Sequence, residues 1–181
     1  DFKPAKKDFQ STINNHQQSI ITYLSYSQLD TFNRCPLQYK YRYILKIPTP
    51  ISSAASFGIS IHNSLKDFYK LAIENRKPGK KDILGILKKC WIKEGYSSKA
   101  HEKKMYARGK KFLTEFFNKG YKKTDKPMAL EQSFTIKIAS KLKLGGRFDR
   151  VDQLKNGMIE IIDYKTGKVP TQKEVDKNQQ M

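Results

Sequence analysis

Two short strand-like runs, 146–152 and 160–167, are separated by Asn156-Gly157, a residue pair that turns a chain back on itself. The first reads Gly146-Arg147-Phe148-Asp149-Arg150-Val151-Asp152 and the second Glu160-Ile161-Ile162-Asp163-Tyr164-Lys165-Thr166-Gly167. Side chains alternate along a strand, so Asp163 and Lys165 share one side. Whether Asp149 joins them depends on the turn. A two-residue loop pairs Asp149 with Tyr164 and sends Asp163 to the opposite face. A three-residue loop, Lys155 to Gly157 with the glycine left-handed, sets Asp149 across from Asp163 and Arg147 across from Lys165. One residue of loop length decides between a site and no site, and an odd-length loop is expected. One face then carries two carboxylates and an ammonium, a group suited to divalent metal and phosphodiester chemistry.

The rest of the chain bears on what such a site would meet. Its 181 residues form one domain, large enough to bury a core without staples. There are 36 Lys+Arg against 17 Asp+Glu, a net charge of +19. Residues 1–126 hold 26 basic and 10 acidic side chains, and residues 127–181 hold 10 and 7. The acidic site thus lies in a near-balanced segment beside a strongly cationic one, which suits a polyanion passing over a metal. Cys35 and Cys90 cannot make a disulfide framework. No run reaches the roughly 18 apolar residues of a membrane span, and no signal peptide is visible. A cytoplasmic, nucleoid-associated location without a membrane partner is expected. The chain begins at Asp1 and stops at Met181 within a helical pattern, and so reads as a piece of a longer protein.

Residues 1–22 are polar and aperiodic, a linker or lead-in. Ser27 with Asp30 resembles a capping pair opening a helix that buries Leu29 and Phe32. Pro36 starts a second helical piece through Tyr39-Lys40-Tyr41-Arg42-Tyr43. That piece fits base stacking and phosphate contact, and equally a helix with half-buried tyrosines and cations outside. Phe57, Ile61, Leu65, Phe68 and Ala72 recur at helical spacing over 56–76, and Pro78-Gly79 ends that helix. Further helices are predicted over about 81–94, with Ile83, Leu84, Leu87 and Trp91 inside, and about 98–118. The latter presents Lys103, Lys104, Arg108, Lys110 and Lys111 on one face. After Pro127 the pattern changes to strands over about 129–138, 141–153 and 158–165, and a helix begins near Thr171. Helices followed by an antiparallel hairpin predict a mixed α/β domain.

Four blocks in order, Leu24-Ser25-Tyr26-Ser27-Gln28-Leu29 with Cys35-Pro36, Phe57-Gly58-Ile59-Ser60-Ile61-His62, Gly146 to Asp152, and Ile161 to Gly167, resemble the PD-(D/E)XK nuclease superfamily. Within it they look like the RecB/AddB-type domain at the C-terminus of UvrD-like helicase–nucleases, and the CRISPR-associated exonucleases of that branch are similar. The resemblance implies a restriction-endonuclease-like α/β core over residues 23–181, with a central mixed sheet, an antiparallel hairpin, flanking helices and a helical N-terminal half. That domain is expected to be cut within its C-terminal helix.

The resemblance further implies a metal-dependent DNA nuclease joined to helicase domains, of its own or a partner chain, in recombination or repair. A free-standing CRISPR-adaptation-type exonuclease and a non-catalytic DNA-binding module are the alternatives. Asp149 and Asp163 would bind Mg²⁺ or Mn²⁺ with the Tyr164 carbonyl oxygen and the His62 imidazole. Lys165 would position or help deprotonate the attacking water. Gln180, with Gln179 the other choice, would begin a Gln-X-X-X-Tyr block. Taken alone, His62 beside an apolar stripe reads as a core-edge residue, and the surrounding block makes it a ligand. DNA contacts are expected from Tyr39, Lys40, Arg42, Arg147, Arg150 and Lys168, with Asp152 solvated or on the DNA side. Glu131 and Glu160 are expected to be structural or outer residues. Cys35 stands where some relatives place the first of four iron–sulfur cysteines. A cluster needs about four thiolates, and no other is placed for it, so none is expected on this chain.

Overall fold

A computed structural model describes residues 21–74, 76–122, 127–167 and 171–173, which divide into two compact units. The lead-in up to residue 20, Lys168, Gln179, Gln180 and the helix beyond residue 173 lie outside the described residues.

The first unit takes the chain up to Ile47 together with Ile136–Leu144. Strand β1 (Tyr23–Ser25) runs directly into helix α1 (Tyr26–Arg34). Ser25, not Ser27, caps the helix. The Gln28 N–H donates to Ser25 Oγ at 3.3 Å, and Gln28 Oε1 accepts from the Ser25 N–H at 2.8 Å. This reciprocal box satisfies two backbone donors and starts the helix earlier than the Ser27/Asp30 pair would. Asp30 is instead salt-bridged to Arg34 at 2.7 Å. The helix buries Thr31, while Leu29 and Phe32 stay exposed, contrary to expectation.

Cys35 caps helix α2 (Pro36–Tyr39) by accepting from the Gln38 N–H, with Pro36 at the position that tolerates it. A π-helical turn, Lys40–Ile44, follows. Tyr39 is buried, edge-on to Phe32 at 5.6 Å and tilted against Tyr43 at 5.3 Å. A ring held by two aromatic neighbours is not offered to a base, which corrects the nucleic-acid role expected of Tyr39. Lys40 and Arg42 are exposed, with Arg42 5.5 Å from the centre of the Tyr43 ring.

Strands β2 (Pro127–Ala139) and β3 (Leu142–Gln153) contribute their facing ends to this unit, where the Lys143 N–H donates to the Thr22 carbonyl at 2.9 Å. Among the described residues the sheet has four strands in the order β1-β3-β2, with β4 (Ile159–Ile162) also paired to β3.

The second unit, Pro48–Thr135 and Gly145 onward, holds the main core. Helix α3 (Ser53–Ile73) carries Phe57, Ile61, Leu65 and Phe68, all buried, at the spacing read from the sequence. Its second buried face is a column of serines. Ser60 and Ser64 each donate to the carbonyl four residues back. Ser56 donates to Glu94 O at 2.7 Å, and Ser60 Oγ accepts from the Ile92 N–H at 3.0 Å, so the column fastens the segment after Trp91 to the helix. Helix α4 (Lys80–Cys90) adds Ile83 and Leu87 to the core, and α5 (Lys99–Glu115) adds Leu113. A π-helical turn, Phe116–Gly120, extends α5 and packs Phe116 and Phe117 on the same cluster. The expected α/β architecture with a helical N-terminal half is present.

The β3–β4 pairing is antiparallel, with Arg150 opposite Ile162 and Asp152 opposite Glu160. Leu154 N–H donates to Met158 O at 2.8 Å, enclosing a three-residue loop in which Gly157 has φ +82°. This is the odd-length loop with a left-handed glycine, and its register is the one that aligns Asp149 with Asp163. The final strand is shorter than expected, because the ladder stops at Ile162.

Gly146 in β3 also has a steric reason. The rings of Phe134 and Phe148 stack 4.5 Å apart, and a Cβ on Gly146 would lie 2.8 Å from Phe134. Gly146→Ala is expected to cost about 1–3 kcal/mol of stability by forcing that ring aside. Urea unfolding checks it, and an unchanged midpoint would count against this packing.

Candidate metal centre

Three elements of the second unit converge on one carboxylate. Asp149, from β3, has a side chain only 10% exposed. Its Oδ1 lies 3.2 Å from His62 Nδ1 on α3, and its Oδ2 accepts from the Tyr164 N–H at 2.7 Å. The second bond follows from register. The β3–β4 ladder ends at the Arg150–Ile162 pair, and the Tyr164 N–H beyond it is taken up by a side chain.

Glu131 on β2 completes the cluster. One ligand atom each from His62, Glu131 and Asp149 lie within 4.8 Å of one another. Glu131 also accepts from Arg147 Nε at 2.9 Å and has φ +51°, a left-handed conformation that a non-glycine residue holds at a cost. Backbone strain at a half-buried acid beside two other ligand-type groups points to a selected position for its carboxylate. The sequence reading left Glu131 as structural or outer. Its one sequence cue is an acid closing the apolar run Met128-Ala129-Leu130.

Asp163 lies outside this close group. The chain leaves the ladder after Ile162, and the Asp163 carboxylate is held by Lys165 Nζ at 2.7 Å. Their pairing agrees with the period-two reading that put them on one side. Both are part-exposed, while Tyr164 between them turns its ring inward. That ring is edge-on to His62 at 6.1 Å and to Phe116 at 6.1 Å. Thr166 approaches Gly58, one turn before His62, and its carbonyl accepts from Arg108 of α5 at 3.4 Å.

The expected DNA contacts divide. Arg147 is exposed but paired with Glu131. Arg150 is 5% exposed and doubly bonded to Asp152, itself 8% exposed. A guanidinium turned into the core and spent on a carboxylate cannot serve as a phosphate contact, nor does Asp152 face solvent. Both expectations are corrected. Residues 150 and 152 share a face by strand alternation, and both are buried, as is Val151 between them.

Electrostatics follow from these contacts. The hydrogen bond to Asp149 raises the His62 pKa above its usual 6.5, against the lowering effect of burial. Burial pushes the Asp149 carboxyl up, but the bonds to His62 and the Tyr164 N–H outweigh it and leave the pKa below the ordinary value. Burial pushes the Tyr164 phenol up to about 12 despite the Arg150 charge beside it. Asp149 therefore stays ionised at neutral pH and stabilises a proton on His62.

One imidazole nitrogen and two carboxylates form a donor set suited to a divalent cation, with lone pairs left on the carboxylate oxygens to bind it. A cation takes neutral imidazole, so binding must expel the His62 proton. Mn²⁺ affinity is expected to rise about tenfold per pH unit below the raised His62 pKa and to level off above it. Calorimetry in buffers of different protonation enthalpy counts the released proton. Affinity that did not change with pH would remove His62 from the ligand set.

Among the described residues, no helix is long and apolar enough to cross a membrane. Three proteins of Rickettsia, each an uncharacterized protein, are similar to this chain. The one from Rickettsia conorii is 25% identical across 94% of the chain, and the one from Rickettsia bellii is 27% identical across 89%. The chain spans about a fifth of their length, 22% and 21% respectively. The family model of the PD-(D/E)XK nuclease superfamily matches residues 23–181, a stretch that contains His62, Glu131, Asp149, Asp163 and Lys165. The chain belongs to the PD-(D/E)XK nuclease superfamily.

Proposed function

We propose that this chain is the nuclease module of a larger DNA-processing protein and hydrolyses DNA phosphodiesters with Mg²⁺ or Mn²⁺. The convergence of His62, Glu131 and Asp149 carries this reading, because a protein that only bound DNA would have no use for paired carboxylates facing a polyanion. A cation held by these residues, with Asp163 and the Tyr164 carbonyl as further oxygen donors, would supply Lewis-acid activation of water and phosphate. Lys165 sits beside Asp163 on the exposed side, where its ammonium can orient the nucleophile and offset charge gathering on the phosphate. Gln180, and the tyrosine that would follow it, would close the wall of the site.

DNA contacts would come from the exposed cations of α5, namely Lys103, Lys104, Arg108, Lys110 and Lys111, with Arg147 and Lys168 as further contacts, and separately from Lys40 and Arg42 of the first unit. The match to roughly a fifth of longer relatives suits a module attached to other domains. The RecB/AddB-like blocks favour helicase domains and a role in recombination or repair, within the cytoplasm and at the nucleoid.

The test is degradation of linear and end-blocked circular DNA, single- and double-stranded, with Mg²⁺ or Mn²⁺ and then with EDTA. Cleavage that stops with EDTA and disappears in Asp163→Ala, while DNA binding persists, supports the reading. Unchanged cleavage in Asp163→Ala would sink the site assignment. Binding without cleavage under every metal would favour the non-catalytic module.

A further inference from the structure

The Arg150–Asp152 pair is a buried ion pair without a part in the chemistry described above, and such a pair is costly to bury. Asp152 receives two bonds from the guanidinium, one from Nε at 2.8 Å and one from Nη2. The third arm, Nη1, donates to Tyr69 Oη, and the guanidinium carbon stands 4.2 Å over the Tyr69 ring. Tyr69 is fully buried and lies seven residues, two helical turns, after His62 on α3. One face of that helix therefore grips β3 at adjacent residues, Asp149 through His62 and Arg150 through Tyr69.

The charge of the same guanidinium acts on the buried Tyr164 phenol, whose hydroxyl has no hydrogen-bond partner among the described residues. Phe116 is edge-on to both tyrosines, at 6.1 Å in each case. Tyr164 is thus held at two points. Its ring meets Phe116 and His62 edge-on, and its N–H is bonded to Asp149. By alternation, fixing Tyr164 inward turns Asp163 and Lys165 outward, although neither belongs to the ladder.

We infer that Arg150, Asp152 and Tyr69 form an internal anchor that positions the Asp163–Lys165 segment through the side chain of Tyr164. They are positioning residues and do not touch substrate. A hydrophobic filler would occupy the same volume. A fork-shaped cation fixed by a carboxylate and a phenol also fixes the Tyr69 ring, against which Phe116 packs, and Phe116 in turn meets the Tyr164 ring. This inference rests on the nuclease reading for its catalytic consequence and stands apart from it for its structural one.

Two variants test it. Tyr69→Phe keeps the ring and removes the acceptor, and Arg150→Met with Asp152→Leu replaces the pair by apolar groups of similar size. In both, the Tyr164 amide is expected to exchange hydrogen about tenfold faster than in the wild type. The kcat is expected to fall about tenfold, with KM and the salt dependence of DNA binding unchanged. A folded double variant with wild-type amide protection and kcat would overturn the anchor, leaving the pair as core filling. A raised KM with a shallower salt slope would overturn it in favour of a phosphate contact by Arg150. If the double variant does not fold, unchanged protection in Tyr69→Phe is the overturning result. If the wild type cleaves no nucleic acid, the nuclease reading fails, and amide exchange alone still decides the anchor.

Discussion

Asp149→Ala is expected to lower DNA cleavage by about 10³-fold or more, equivalent to about 4 kcal/mol of barrier, while DNA binding changes little. The carboxylate is shared by two partners that no other residue could hold in the same place. Oδ1 meets His62 and Oδ2 receives the Tyr164 N–H. Removing it deletes a proposed ligand and leaves His62 without the neighbour that raises its pKa. The His62 pKa should therefore fall in the variant, which NMR titration of the imidazole would show even without cleavage. Binding survives because the cations of α5 lie on an exposed helix face that Asp149 does not support. A variant retaining a tenth of the wild-type rate would displace Asp149 from the centre of the mechanism.

Glu131→Gln is expected to weaken Mn²⁺ binding about 10–100-fold and to reduce cleavage by at least as much. The amide keeps the shape of the carboxylate and its contact with Arg147, but loses the charge that a hard cation seeks. Stability should change little, so metal affinity by calorimetry separates a ligand from a structural acid. If affinity is unchanged, Glu131 acts only as the partner of Arg147, as the sequence reading had it.

The contrast between Glu131 and Asp163 shows what could be read in the chain and what could not. The Asn156-Gly157 signal and the alternation of residues 146–152 limited the hairpin to two registers that differ by one residue, and Gly157 takes the left-handed conformation of the three-residue loop. The core face of α3 was equally plain, because Phe57, Ile61, Leu65 and Phe68 repeat at one period. Glu131 was hidden because its approach to Asp149 depends on how β2 lies beside β3. No local pattern states that pairing, and its strained φ is invisible in the sequence.

The burial of Arg150 is hidden in the sequence for a related reason. Alternation separates the faces of a strand but does not say which face is inside when both carry charges. Tyr39 posed the same question on a helix, and Phe32 and Tyr43 answered it by enclosing the ring. The start of α1 fell two residues early because two overlapping Ser-X-X-acceptor pairs compete, and Gln28 can return a bond to Ser25.

The bond from the Tyr164 N–H to Asp149 makes one carboxylate both the stop at the end of a β-ladder and a member of the group that could hold a cation. By thermodynamic reciprocity, if a cation that draws on Asp149 alters the rigidity of the Tyr164 backbone, stiffening that backbone alters the hold on the cation by the same free energy. Under the proposed function, loading the centre and ordering Lys165 would then be one equilibrium, observable from either end.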